Sequence, residues 1–313
     1  MVTGGAGFIG SHVVEALMAE GWSVGVVDDL SSGRPENVPA GVELVQADVR
    51  SPEARDFFFR FKPEAVAHLA AQVSVAKSVT DPGLDAAINI EGTLAVAAAC
   101  REAGVSRLVL ASSAAVYGAP AYLPVDEAHP TVPLSPYGVS KLAAEHYVRV
   151  LSELAGASWV VLRYGNVYGP RQDALGEAGV VAVFVSKLVA GEAFPVHGDG
   201  QQSRDFVYVQ DAAAATARAM AVEAAGGNVL NVAAGSATTV LELARALWAA
   251  AGRSGQPRLA FGEVRPGDIR QSRLDPGRAE RVLGWRPAVG LEAGLRQTLL
   301  WWQKVSAVRE GAG

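Results

Sequence analysis

The sequence predicts an α/β fold with a doubly wound parallel sheet and a smaller C-terminal region. In the first half of the 313-residue chain, short runs rich in Val, Ile and Leu alternate with longer helical patterns. Apolar runs of this kind are typical of parallel strands that are buried on both faces. The alternation predicts βαβ units with right-handed crossovers. A glycine-rich segment, TGGAGFIG, precedes the first helical pattern.

The order of the predicted elements follows this alternation. The predicted strands are 23–28, 43–47, 65–69, 107–111 and 159–163, and the predicted helices are 11–20, 52–61, 85–103 and 137–154. Only Met1–Thr3 are available for a strand before Gly4. A strand there can only be a stub, because typical strands have about five to six residues.

Two regions are predicted, 1–165 for the sheet domain and 166–313 for the smaller one. From about residue 164, loops rich in glycine and proline separate shorter elements. Some segments of the second region, such as 205–235, are expected to fold back onto the first.

Composition argues against several functional classes. Charged residues are 19% of the chain and the net charge is −5, so nucleic acid and acidic membrane surfaces are not expected partners. No apolar run approaches the roughly 20 residues that span a bilayer. Cys100 is the single cysteine, and the five histidines lack metal-binding spacing. These features predict a cytoplasmic protein without a metal.

The glycine segment places Gly4, Gly7 and Gly10 three residues apart. In a dinucleotide-binding turn, the first glycine permits the turn and the second lets the backbone approach a pyrophosphate. The third permits close packing of helix and strand. The following helix would direct its N–H groups at the phosphates. An ordinary glycine-rich turn remains the alternative, because the motif alone is a weak signal.

Carboxylates end the next two predicted strands. Asp28 and Asp29 follow Gly10 by 18 and 19 residues. A carboxylate at this position can accept hydrogen bonds from both adenosine ribose hydroxyls and repels a 2′-phosphate, which selects NAD over NADP. Acids also follow strands as ordinary loop residues. Asp48, at the end of the third strand, could reach the adenine amino group.

Residues 135–147, SPYGVSKLAAEHY, place Lys141 four residues after Tyr137 and therefore on the same helix face. A free tyrosine has a pKa of about 10, so a base near neutral pH needs a shift of roughly 3 units downward. Lys141 and an oxidised nicotinamide could supply it. Ser112 and Ser113 follow a predicted strand at the end where α/β sheets bind ligands. Each pattern also occurs by chance, so the hypothesis depends on their combination.

The sequence resembles the extended short-chain dehydrogenase/reductase superfamily and, within it, the UDP-glucose 4-epimerase family, along essentially its full length. The motifs that carry the resemblance are TGGAGFIGSH, VVDDLSSG, HLAAQVSV, NIEGT, SSAAVYG, SPYGVSK, RYGNVYGPRQ, SRDFVYVQD and RPGD. The resemblance implies a Rossmann-type sheet with bound NAD in residues 1–165, and a UDP-sugar bound mainly by residues 166–313. It also implies a homodimer formed through the helices near 85–103 and 137–154.

The resemblance implies a role for each matching residue. The implied catalytic residues are Ser113, Tyr137 and Lys141. The implied NAD contacts are Gly4, Gly7, Phe8, Ile9, Gly10, Asp28, Asp48, Val49, Ala70, Ala71, Gln72 and Asn89, together with Tyr137 and Lys141. The implied UDP-sugar contacts are Ser113, Tyr137, Asn166, Arg204, Arg265 and Ser272.

The implied reaction is C4 epimerisation of UDP-glucose and UDP-galactose through a transient 4-keto sugar, as in galactose metabolism, with Tyr137 as the base. The related dehydratases of the superfamily carry an acidic residue in this stretch. Residues 113–115 read Ser-Ala-Ala here, so the resemblance favours an epimerase. UDP-N-acetylglucosamine and UDP-glucuronate 4-epimerases remain alternatives, as does a non-catalytic NAD-sensing module.

Ser272, seven residues after Arg265, resembles a gatekeeper beside the sugar 2-substituent. A small residue there would leave room for an N-acetyl group. A slip of one residue, to Gln271, would reverse this interpretation, and an ordinary polar loop residue is the other alternative.

Overall fold

The computed structural model of the chain describes residues 1–173, 179–264 and 269–311, with side chains up to residue 305. The strands are β1 (Val2–Thr3), β2 (Gly25–Asp28), β3 (Glu43–Gln46), β4 (Ala65–His68), β5 (Arg107–Ser113), β6 (Ser158–Tyr164), β7 (Asn166–Tyr168), β8 (Phe194–His197), β9 (Ser203–Arg204), β10 (Phe206–Tyr208), β11 (Asn228–Val232), β12 (Thr238–Thr239) and β13 (Leu259–Gly262).

The helices pack on both faces of the sheet and in the C-terminal region. They are α1 (Phe8–Ala19), α2 (Pro52–Phe61), α3 (Val75–Thr80), α4 (Pro82–Ala86), α5 (Gly92–Ala103), α6 (Pro136–Leu154), α7 (Val180–Val189), α8 (Val209–Ala221), α9 (Val240–Ala250), α10 (Gly277–Leu283) and α11 (Leu291–Gly311). The five predicted strands and the predicted helices 11–20, 52–61 and 137–154 differ from these bounds by at most three residues at either end. The predicted helix 85–103 spans the end of α4, α5 and the residues between them, and α3 was not predicted.

Seven parallel strands form the main sheet in the order β11-β6-β5-β4-β1-β2-β3. This arrangement confirms the predicted doubly wound fold. The strand order reverses between β1 and β4, and ligands bind at such a point, beyond the carboxyl ends of the strands. The first strand is a stub of two residues, and Val2 lies in register with Val26 and Ala67 on its two neighbours.

Each face of the sheet carries its own apolar core. On one face α1, α8 and α10 pack around Val14, Leu17 and Met220. On the other face α2, α5 and α6 pack around Phe57 and Val148. The second region therefore contributes α8, α10 and β11 to the sheet layer. A third core, between α7, α9, α11, β8 and β10, belongs to the C-terminal region.

Local sequence signals explain where α6 begins. Ser135 is the N-cap residue, and its Oγ accepts a hydrogen bond from Gly138 N at 3.2 Å. Pro136 occupies the first helical position, where a missing N–H costs nothing. The buried side of the helix then carries Tyr137, Lys141 and Glu145 towards the sheet.

Helices α4 and α5 are joined by a π-helical turn, Ala87–Glu91, into one continuous helical segment. Wide turns of this kind are rare and often occur at functional sites. This segment, Pro82–Ala103, is the one helix in the described part of the chain whose length and composition would allow it to cross a membrane. It packs against α2 and α6, with Val96, Ala97 and Cys100 in the core.

Candidate active site

The glycine turn between β1 and α1 lies at the reversal of the strand order. Gly4 has φ +71°, and a Cβ on it would lie 2.6 Å from Ala70 N. A Cβ on Gly10 would lie 2.0 Å from Gly4 O. Neither position has room for a side chain, so α1 starts directly against the turn.

The N-terminus of α1 has unpaired N–H groups above this turn. Gly7 is its N-cap residue and provides no side-chain cap, and the first intrahelical bond runs from Ser11 N to Gly7 O. The N–H groups of Phe8, Ile9 and Gly10 therefore precede the helical hydrogen-bond pattern. Such groups, with the helix dipole, suit a phosphate. The close backbone turn and these donors together fit a dinucleotide pyrophosphate.

Asp28 ends β2 beside the glycine turn and is buried. Its Oδ2 accepts from Ala6 N and its Oδ1 from Leu30 N, both at 2.9 Å. Burial raises the pKa of Asp28, and these backbone hydrogen bonds oppose the shift. A carboxylate oxygen accepts more than one hydrogen bond, so this group still has capacity for ribose hydroxyls.

Asp48 and Val49 follow β3. Arg50 donates to both oxygens of Asp48, from Nε at 2.9 Å and from Nη2 at 2.5 Å. This pairing lowers the pKa of Asp48. Val49 packs towards α5, where its Cγ2 lies 3.3 Å from the position of a Cβ on Gly92. The carboxylate of Asp48 is therefore already held by an arginine two residues away.

Ala70, Ala71 and Gln72 follow β4 and lie over the turn and the π-helical segment. Ala70 N donates to Thr3 Oγ1 at 3.4 Å. Gln72 is buried, and its backbone N and O bond the side-chain amide of Asn89 at 2.8 and 3.0 Å. Asn89 thus fixes the backbone of the loop that leaves β4.

Asn89 also connects this loop to α6. Its Nδ2 donates to Ser140 Oγ at 3.0 Å and to Asp85 Oδ1 at 3.1 Å. Gln72 Nε2 donates to the same Asp85 oxygen at 2.7 Å. We call these four buried residues, Gln72, Asp85, Asn89 and Ser140, the Asn89 cluster. The sequence analysis singled out two of them but not Asp85 or Ser140.

The two serines at the end of β5 point to opposite faces, as neighbours on a strand do. Ser113 hydrogen-bonds the Tyr137 side chain, and its Oγ accepts from Ala115 N at 3.2 Å. Ser112 is buried on the other side and donates to Glu145 Oε1. Ser113 is therefore the serine that lies beside the tyrosine.

Tyr137 and Lys141 are both buried on the inner side of α6. Burial raises the pKa of Tyr137, the Ser113 hydrogen bond opposes the shift, and the charge of Asp85 adds to it. Burial lowers the pKa of Lys141 to about 8, against the charges of Asp85 and Glu145. The sequence predicted a downward shift for Tyr137, and within the chain alone the direction is the opposite because burial dominates.

Lys141 Nζ donates to the carbonyl of Ala111 on β5 at 2.9 Å. An ammonium has three N–H donors, so further ones are available to a ligand or to Tyr137. The hydrogen bond fixes the side chain across the end of the sheet. Lys141 and Tyr137 are thus both bonded to the carboxyl end of β5, at Ala111 and Ser113, on the sheet edge that also carries the glycine turn.

A buried ion pair supports α6 one turn beyond Lys141. Glu145 accepts from Arg163 Nη2 at 2.6 Å and from Nε at 3.0 Å. The Arg163 guanidinium lies 4.8 Å from the ring centroid of Tyr117, and the Tyr117 hydroxyl donates to Asn231 Oδ1 at 2.7 Å. The sequence analysis missed these residues. Their signal was a charged residue inside an apolar pattern on both α6 and β6.

The predicted substrate contacts lie on several segments of the second region. Asn166 is exposed at the start of β7, and its backbone N donates to Asp205 O at 2.8 Å. Arg204 donates from Nη1 to the carbonyls of Ser203 and Ile269, at 2.9 and 2.6 Å. Arg265 lies outside the described residues.

Ser272 lies beside β9, where its backbone N donates to Ser203 O at 3.2 Å. A cavity of about 260 Å³ opens here, and it is lined by Leu123, Ser203, Ala237, Gln271, Ser272 and Arg273. Both candidate gate residues line it, so the one-residue alternative stays open.

Asp205 fixes this region and was not predicted. It is fully buried, and its carboxylate accepts from the N–H groups of Ala234, Gly235 and Leu274 at 2.8 to 3.1 Å. Burial raises its pKa to about 6. The residue therefore joins β9 to the end of β11 and to the segment that carries Ser272.

Comparisons with known proteins agree with this geometry. Residues 1–233, which include the whole seven-stranded sheet, match the model of the NAD dependent epimerase/dehydratase family. The chain is 44% identical to the UDP-glucose 4-epimerase of Mycolicibacterium smegmatis over 312 residues, 98% of this chain and 99% of that protein.

Two solved structures resemble it closely. The UDP-glucose 4-epimerase of Thermotoga maritima with UDP-glucose has a TM-score of 0.92 and 41% identity, covering 97% of this chain and 98% of that one. The UDP-glucose 4-epimerase of Thermus thermophilus in complex with NAD has a TM-score of 0.90 and 44% identity, covering 96% and 98%.

We predict that Arg163→Met destabilises the protein by about 3–5 kcal/mol, because it leaves the buried Glu145 carboxylate without its cation. The matched control is Arg149→Met, which removes an exposed partner of Glu153 on the same helix. The side chains are 7% and 6% exposed in the first pair and 45% and 52% in the second. The control should cost less than about 0.5 kcal/mol. Denaturant unfolding measures both, and equal losses would contradict the role of burial.

Proposed function

The chain belongs to the NAD dependent epimerase/dehydratase family, and we propose that it interconverts UDP-glucose and UDP-galactose by inversion at C4 of the hexose. It is an NAD-dependent isomerase of the UDP-glucose 4-epimerase type. The observation that carries the mechanism is the pair of buried side chains, Tyr137 and Lys141, held at the carboxyl end of β5, where Ser113 hydrogen-bonds the phenol.

The glycine turn and the strand ends would hold NAD. The donors of Phe8, Ile9 and Gly10 suit its pyrophosphate, and Asp28 suits the adenosine ribose. Asp48, Val49, Ala70, Ala71 and Gln72 would line the rest of the dinucleotide, with Asn89 fixing the Gln72 backbone. When bound, NAD would supply the acceptor and later the donor of the hydride at C4 of the sugar.

Tyr137 is the proposed base for the 4-hydroxyl, and Ser113 positions that hydroxyl. Burial raises the pKa of Tyr137, so a base at neutral pH needs positive charge at short range. The Lys141 pKa of about 8 keeps the ammonium charged at neutral pH. A bound pyridinium would add a second positive charge, which explains why the base would work only with the cofactor in place.

The UDP part of the substrate would be held by the second region. We assign the diphosphate to Arg204 and Arg265, since a guanidinium binds phosphate oxygens through two parallel hydrogen bonds. Asn166, exposed at the start of β7, would contact the sugar nucleotide. Binding energy then acts on the unreactive part of the substrate and leaves the hexose free to turn.

N-acetylated substrates form the second candidate function. The cavity beside β9 gives this candidate a structural basis, because small Ser272 lines it. A UDP-glucuronate 4-epimerase remains an alternative. A non-catalytic NAD sensor would not need a buried phenol that hydrogen-bonds a serine, with a buried ammonium one helical turn further along α6.

A homodimer is proposed through α6. Its outer side carries a stripe of Val139, Ala143, Tyr147, Val150 and Leu154, spaced three and four residues apart along one helix face. Leu154 is 79% exposed and Val150 40%. A contiguous apolar stripe on the surface indicates an interaction site, and a second copy of α6 would complement it by symmetry.

We predict that Tyr137→Phe lowers turnover of UDP-galactose by at least about 10²-fold, because the proton acceptor is lost while packing is kept. Tyr147→Phe, on the exposed side of α6, is the matched control and should turn over normally. Denatured Tyr137→Phe protein should release NAD rather than NADP, because Asp28 selects the cofactor. Near-normal turnover would exclude Tyr137 as the base, and released NADP would exclude the role of Asp28.

With Ser272 as the gate, we predict that the wild type epimerises both UDP-glucose/UDP-galactose and their N-acetylated counterparts, and that Ser272→Tyr suppresses the N-acetyl activity alone. A phenol would fill the cavity next to the sugar 2-substituent. Gln271→Tyr is the control for the one-residue alternative. The measurement is kcat/KM for both substrate pairs in each variant. Undetectable turnover of UDP-N-acetylglucosamine by the wild type would reject the open gate.

We predict that the wild type sediments as a dimer and that Val150→Asp shifts it to the monomer, because a carboxylate would be buried in the stripe. Leu300→Asp, an exposed leucine of α11, is the control and should leave the dimer intact. Sedimentation velocity at several concentrations gives the mass. A wild type that stays monomeric, or an unaffected Val150→Asp variant, would exclude α6 as the interface.

A further inference from the structure

Asp85 is a buried carboxylate that the proposed reaction does not use. It lies in α4 and is 1% exposed. Its Oδ1 accepts from Gln72 Nε2 and Asn89 Nδ2 within the Asn89 cluster. Its Oδ2 has no hydrogen-bond partner among the described residues. Neutral amides alone therefore hold this carboxylate, although α4 packs directly against α6.

The other charges around Lys141 are already paired or neutral. Glu145, on the same helix, forms the ion pair with Arg163 on β6. His68, on β4, is neutral because burial and the charge of Lys141 lower its pKa to about 3. Tyr137 is neutral in the chain itself, since burial raises its pKa. Among the described residues, Asp85 is the remaining anion that acts on Lys141.

We propose that Asp85 is the counter-charge of Lys141 and acts as a positioning residue that keeps the ammonium charged in the closed site. A buried ammonium without an anion loses its proton or moves towards water. Asp85 meets this need from the side of α4, while its bonds to Gln72 and Asn89 fix its position. This inference rests on the proposed function for its catalytic consequence, whereas the pairing itself rests on the burial of Asp85, its unpartnered Oδ2 and the packing of α4 against α6.

The same charge favours the protonated form of both catalytic groups, which suits Lys141 as a cation and opposes Tyr137 as a base. A carboxylate raises the pKa of a neighbouring ammonium and also raises that of a neighbouring phenol. Asp85 thus keeps Lys141 protonated, but it also raises the pH at which the Tyr137 phenol loses its proton and can act as a base. Its removal should move both ionisations in the same direction, which a purely structural residue would not do.

The variant Asp85→Asn tests this with little change of shape. Its remaining oxygen can accept from Gln72 and Asn89, and its new NH₂ group takes the place of an oxygen that bonds no described residue. The acid and alkaline limbs of kcat against pH should both shift to lower pH, by roughly half a unit to one unit. A fall in kcat with both limbs unmoved would overturn the proposal.

Ser140→Ala is the matched neutral control. Ser140 belongs to the same cluster, accepts from Asn89 and donates to the carbonyl of Tyr137 at 3.0 Å, but carries no charge. Its loss should change activity or stability and leave both limbs in place. Equal shifts in Ser140→Ala and Asp85→Asn would assign the effect to the hydrogen bonds of the cluster and overturn the proposal.

A thermal unfolding cycle gives a reading that does not depend on catalysis. Lys141→Met leaves Asp85 without its cation and should lower the unfolding midpoint, and Asp85→Asn added to it should recover part of the loss. Additive effects of the two substitutions would overturn the pairing. If Asp85→Asn alone fails to fold but the double variant with Lys141→Met folds, the pairing is supported. If both the single and the double variant fail to fold, the pairing is overturned. An inactive wild type would reject the proposed function, but the unfolding cycle would still test the pairing of Asp85 with Lys141.

Discussion

Lys141 carries a positive charge in a buried position, and much of the surrounding structure serves to compensate this charge. The inner face of α6 carries Tyr137, Lys141 and Glu145 at intervals of four residues, so the phenol, the cation and an anion form one row against the sheet. The row continues through Arg163 to the ring of Tyr117. Breaking any such buried pair leaves an uncompensated charge, so the row holds α6 firmly on β5 and β6. Rigid support of this kind is what a precisely oriented base and hydroxyl need.

The polar row also joins the two functional regions. The Tyr117 hydroxyl bonds Asn231 on β11, whose amide bonds the backbone of Val125 and of Asp275. Asp205 ties the same end of β11 to the backbone of Leu274. The segment around Ser272 is thus connected to the sheet by buried hydrogen bonds rather than by a flexible linker. The substrate side and the cofactor side therefore keep a fixed relation to the end of β5.

The sequence was most informative where structure depends on neighbours in the chain. The glycine turn, the alternation of strands and helices and the spacing of Tyr137 and Lys141 are local, and the predicted bounds differ little from the observed ones. The raised pKa of Tyr137 in the chain without a cofactor could not be predicted, because burial depends on the packing of α3, α4 and β5 around the phenol. Asp85 and Asp205 were missed for the same reason, since their partners come from distant parts of the chain. The second region was predicted only in outline. Apart from β11, its strands pair in short two-stranded sheets, and their sequences show no regular alternation of strands and helices.

The position of β11 at the edge of the main sheet has a consequence for synthesis. This strand pairs with β6 along Asn228–Val232, and α8 covers α1. A ribosome must therefore release more than 230 residues before the first helix of the chain finds its partner and the sheet its last strand. Until then β6 has an open edge, a template for unwanted pairing. Folding must wait for contacts between residues far apart in sequence, which is slow and exposes the nascent chain to aggregation.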